Sequence, residues 1–114
     1  MFQTFEMNLQ PVPFEAIRTG EKTVEMRLFD QRRKDIRVGD HIVFVHTETQ
    51  ERLEVEVRGL QRFPSFVELY QAYDKKVLGY EEEETADPAD MNRYYPPERV
   101  AQYGALAIEI SALC

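Results

Sequence analysis

The chain of 114 residues carries 14 lysines and arginines against 21 aspartates and glutamates, a net charge of −7, with 43% apolar and 31% charged residues. That size suits one domain, because two would each be too small to bury a core, and the composition is ordinary for a soluble globular protein. No apolar run approaches the roughly 20 residues that span a bilayer, the start "MFQTFEMNLQ" has neither the basic region nor the apolar stretch of a signal peptide, and the negative sum argues against indiscriminate binding to phosphate backbones.

"TFEMNLQ" alternates, with Phe5, Met7 and Leu9 on one face, and predicts a strand. Pro11 and Pro13 then fix φ and open a short helix with Phe14 and Ile17 on one face and Gly20 as its stop. "KTVEMRLF" alternates again: Val24, Met26 and Leu28 point one way, and Thr23, Glu25, Arg27 and Phe29 the other. "DIRVGD" turns the chain into the strand "HIVFVH", and "TETQE" turns it back into "RLEVEVRGL". Gly59 interrupts that last pattern, which predicts a bulge or a close backbone approach.

Ser65 is a natural N-cap for a helix through "FVELYQAY", in which Phe66, Leu69, Tyr70 and Tyr73 recur at helical spacing. The stretch from Leu78 to Gly104 is the least regular and predicts one or two short helices, one of them opening at Pro97 and closed by Gly104. "ALAIEISAL" is a final, mostly apolar strand. Five short strands, four of them antiparallel in pattern, with interspersed helices predict an α+β domain: a small, strongly curved sheet or barrel.

Charge is unevenly spread. Between Arg18 and Arg37 seven basic residues, among them Arg32, Arg33 and Lys34, face only four acids, whereas from Glu81 onward acids dominate. One basic edge is enough to take an anionic ligand locally; a solvated loop or a contact with a second copy of the chain, a homodimer, would use the same asymmetry. Glu25 and Arg27, two apart on a strand, share a face at about 6.5–7 Å along the chain, and Lys22 falls at the strand entrance. Such a trio can bind a phosphate, hold a base edge, form a plain salt bridge, or tune the lysine for general-base work. Tyr94 and Tyr95, held by Pro96 and Pro97, and Tyr103 offer faces on which bases stack, or they pack as partly buried core. His41 and His46 stand five apart on one strand, hence on opposite faces, and the one cysteine, Cys114, can neither close an internal disulfide nor gather a thiolate site. The expectation is therefore no metal, no cofactor, no membrane, and a reducing cytoplasm.

"GEKTVEMR" followed by "IRVGDHIVF" and then "YGALAIEI" resembles the ASCH domain family of the PUA-like superfamily. Gly20, Lys22, Glu25 and Arg27 match all four positions of its signature, Gly39 to Val45 its glycine–aspartate turn and strand, and Tyr103–Gly104 to Ile110 its final strand. The resemblance implies a β-barrel of five to six strands with flanking helices, and a cleft where the motif strand meets the first helix. It further implies an association with RNA or with modified nucleosides and bases; the candidate binding residues are then Lys22, Glu25 and Arg27 of the motif, together with Arg33 of the basic stretch and the aromatic faces of Tyr94, Tyr95 and Tyr103. Single-stranded or looped RNA, whose bases are free to stack and pair, is the expected partner, or else a nucleoside- or nucleotide-like ligand. One branch hydrolyses the amide of acetylated cytidine with a lysine, a threonine and a glutamate. Lys22 matches that lysine, but Glu25 stands where the threonine belongs and the downstream glutamate has no assigned counterpart. Other members are linked to ribonuclease action. If the chain is an enzyme, Lys22 and Glu25 are its candidate catalytic residues.

Overall fold

Alternating side chains build the strands, while prolines and glycines set where the helices begin and end. In the computed structural model, which describes residues 1–113, the order is β1 (Thr4–Leu9), α1 (Pro11–Thr19), β2 (Val24–Leu28), β3 (His41–His46), β4 (Arg52–Phe63), α2 (Phe66–Ala72), a 3-10 turn (Pro88–Arg93), α3 (Pro97–Tyr103) and β5 (Ala105–Ala112). Cys114 lies outside the described residues. Pro11 sits in the first turn of α1 and Gly20 closes it; Ser65 caps α2, its Oγ accepting from the Val67 N–H at 3.2 Å.

The five strands form one sheet in the order β1-β3-β4-β5-β2. Four of them make antiparallel neighbours, as their patterns predict, while β1 lies parallel to β3. β4 runs three residues beyond the expected "RLEVEVRGL". The ladder with β5 slips between Val57 and Gly59 and then resumes as far as Phe63 opposite Ala105. Gly59 therefore marks both a bulge and a close approach, since a Cβ there would stand 2.7 Å from Glu109 Oε1.

The sheet is curled into a half-barrel with a core on each face. Met7, Phe14, Ile17, Ile42, Phe44, Val55, Leu106 and Ile108 fill the inner face under α1. Val24, Met26, Leu28, Phe66, Leu69, Val100 and Ala107 fill the outer face under α2 and α3. No helix among the described residues is long and apolar enough to cross a membrane.

Candidate functional site

Register decides what β2 presents. Glu25 stands opposite Ile108 and Arg27 opposite Leu106, both inner-core residues, whereas Met26 stands opposite Ala107 of the outer core. The motif carboxylate and guanidinium thus lie on the inward face of the half-barrel, as the alternation predicts. β2 and β1 are the two edges of the sheet, so the barrel interior, apolar elsewhere, ends here in an ionic seam.

Side chains bridge that seam where no backbone ladder does. Arg27 donates from Nε to Glu25 Oε2 at 2.8 Å and from Nη2 to the Asn8 carbonyl of β1 at 2.9 Å. Lys22 Nζ meets the other carboxylate oxygen at 3.0 Å. Lys22 and Glu25 are only 8% and 4% exposed, yet both line a cleft, so the trio is a buried, mutually compensated cluster at a cavity wall. Burial pushes the Glu25 carboxyl up, but the Lys22 and Arg27 charges, with the hydrogen bonds they make, outweigh it and hold the group below the usual carboxylate range. For Arg27 burial opposes the charge, and Glu25 with the neighbouring Tyr95 hydroxyl restores it, leaving the guanidinium firmly charged.

The cleft has a volume of about 430 Å³. β1 and the start of α1 (Asn8, Gln10, Val12) form one wall, and the 3-10 turn and its exit (Asp90, Arg93, Tyr94, Tyr95) form the other. The loop at Gly79–Tyr80 closes one end. Gly79 adopts φ +106°, and a Cβ there would stand 3.1 Å from Lys22 Cδ, so a glycine lets the loop lie on the lysine stem. Tyr80 donates to Asp90 Oδ2 at 2.7 Å and shares a 2.8 Å hydrogen bond with Tyr70. Burial first, then these two partners, push the Tyr80 hydroxyl well above the usual phenol range.

Of the residues predicted from sequence, Lys22, Glu25, Arg27, Tyr94 and Tyr95 meet in this cleft. Tyr94 is 52% exposed at the rim, and Tyr95 lies parallel to Phe66 at 6.1 Å. Arg33 instead pairs with Asp30 at 2.8 Å and lines a neighbouring groove. Tyr103 packs against the outer core beneath Arg99 and does not line the cleft. Sequence reasoning passed over Asn8, Tyr70, Tyr80 and Asp90. The only signal for them was a helical tyrosine and an aspartate near a proline, neither of which marks a site.

Five strands curled into a half-barrel, helices over its outer face and an ionic cleft at its open seam define the PUA-like class of fold. Within it the chain belongs to the ASCH domain family, whose model matches residues 7–113. The hypothetical protein PH0355 is 30% identical over 97% of this chain and 100% of its own, with a TM-score of 0.83. Protein PF0455 from Pyrococcus furiosus is 31% identical over 97% and 98%, with a TM-score of 0.70. ASCH from Zymomonas mobilis, 17% identical over 96% and 67% with a TM-score of 0.67, shares the fold. No curated protein matches the sequence.

Proposed function

We propose that the cleft binds a nucleotide, presented within single-stranded or looped RNA, in a cytoplasmic setting. The observation that carries this reading is the convergence of a buried lysine, a half-buried arginine and four tyrosines, Tyr70, Tyr80, Tyr94 and Tyr95, on one cavity. Its volume falls within the roughly 300–1,000 Å³ common for small-molecule sites. Lys22 and Arg27 face anionic or acceptor groups of the ligand, Tyr94 supplies a stacking face at the rim, and Asp90 supplies an acceptor for a base edge. Stacking on such faces is worth about 1–3 kcal/mol per base. The association of PUA-like families with RNA and modified nucleosides supports the same reading. Glu25 braces the two cations. Both of its oxygens already accept from one, and a carboxylate held below its ordinary range is a weaker base, which argues against a general-base role for Glu25 in the hydrolase alternative.

The test is a thermal-shift panel of nucleosides, nucleotides and short single-stranded RNAs at low and physiological salt. A ligand at 100 times its Kd stabilises by about 2.7 kcal/mol, a shift of several degrees for a chain of this length. Lys22→Ala and the rim variant Tyr94→Ala should each shrink that shift. A full shift in both variants, or none in the native protein, refutes the site.

A further inference from the structure

Beside the cleft runs a second, smaller groove of about 310 Å³, lined by Phe5, Glu6, Met7, Asn8, Arg27, Arg32 and Arg33. Asn8 and Arg27 line both cavities, so the guanidinium-to-carbonyl bridge across the seam is the ridge between them. Three arginines converge on this groove. Glu25 pairs with Lys22 and Arg27, Asp30 with Arg33, and the groove-lining Glu6 with the exposed Arg52 at 3.0 Å, which leaves Arg32 as the arginine of the groove with no acid partner among the described residues.

The basic stretch that carries Arg32 and Arg33 is an ordered turn. Asp30 Oδ1 accepts from the Arg32 N–H at 3.1 Å, the Asp30 carbonyl accepts from the N–H groups of Arg33 and Lys34 at 3.1 and 3.0 Å, and Asp30 Oδ2 holds the buried Arg33 guanidinium. A planar fork fixed in this way is preorganised for a phosphate, because little side-chain freedom remains to be lost on binding. The one aromatic in the groove, Phe5, is packed against the inner core. The groove therefore suits a sugar and its phosphate better than a second stacked base.

We infer that this groove is a phosphate subsite for the nucleotide adjoining the one held in the cleft, with the RNA backbone crossing the ridge at Arg27. The inference rests on the nucleotide reading of the cleft and narrows it: the ligand class is a strand of at least two nucleotides, and a free nucleoside fills only half of the site.

A fluorescein-labelled single-stranded RNA octamer of mixed sequence, titrated by anisotropy from low to physiological salt, reads the groove. The thermal-shift response to the four nucleosides reads the cleft. Arg32→Gln should weaken octamer binding about tenfold and reduce the salt slope by about 0.7, while the nucleoside response stays that of the native protein. Arg33→Gln, checked for native circular dichroism, should act in the same direction. Unchanged octamer affinity and salt slope in a folded Arg32→Gln overturn the subsite, as does a nucleoside that binds the native protein as tightly as the octamer; in both cases the cleft reading stands. Silence of both probes on the native protein removes the cleft reading and the subsite together.

Discussion

At the residue scale the question is why an apolar strand carries a carboxylate and an arginine, with a lysine at its entrance. Glu25 accepts from Lys22 on one oxygen and from Arg27 on the other, and each of the three is largely out of water. Replacing such a cluster by well-packed apolar residues is often neutral or stabilising, so the cluster is poor design for stability alone. Removing one member is a different matter, because it strands the charges left behind. Glu25→Gln leaves Lys22 and Arg27 facing each other in a poorly solvated wall. It should cost about 3–5 kcal/mol, read as a large fall in the midpoint of thermal unfolding. A loss below about 1 kcal/mol would mean that water reaches the cluster freely and that it is a surface ion pair.

At the element scale the strands and helix ends were legible because they are local. Alternation placed β1, β2 and β4, short apolar runs placed β3 and β5, Ser65 and Gly20 marked their helix ends, and Gly59 announced its bulge. What was not legible depends on distant pairing. The parallel seating of β1 on β3 joins Thr4 to His41, and nothing in either stretch names the other. The far wall of the cleft comes from residues 70 to 95, where no period runs long enough to fix an element, so Tyr70, Tyr80 and Asp90 meet only once α2 and the 3-10 turn pack. Arg33 shows the reverse: it was grouped with the cleft residues, but the turn pinned by Asp30 turns it into the groove beside the cleft. One junction carries a sharper prediction. Gly104, between α3 and β5, adopts φ +85° and ψ 173°, and a Cβ there would stand 2.9 Å from the Phe63 carbonyl. That backbone region belongs almost only to glycine, and the carbonyl, fixed within β4, has no room to move aside. Gly104→Ala should therefore destabilise by about 3 kcal/mol. A chemical-denaturation midpoint close to that of the native protein would show that the junction relaxes.

At the scale of the whole molecule, the two kinds of perturbed group line one cleft and bound the stability of the fold from opposite ends of the pH range. Glu25 is held below the ordinary carboxylate range, so its contribution is complete above the unfolded-state value of about 4.3 and is lost as pH falls through the folded one. Tyr80 and Tyr70 are held above the ordinary phenol range, by burial first and then, for Tyr80, by Tyr70 and Asp90. Their contribution is complete below the unfolded value of about 10 and erodes as pH climbs past it, because only the unfolded chain then ionises. Thermal midpoints recorded across pH should form a plateau with two flanks, and each flank has its own variant. The gap between the native protein and Glu25→Gln should be widest on the plateau and narrow as pH falls below about 4.3, because the unfolded chain then binds a proton that the native carboxylate takes up only at its own lower value. Tyr80→Phe, which removes the ionisable hydroxyl and leaves Asp90 without its donor, should lower the plateau and flatten the alkaline flank. A gap for Glu25→Gln that stays constant down to about pH 3 would mean that the carboxylate is not what holds Lys22 and Arg27 in the wall, and both the ionic seam and the site built on it would have to be redrawn.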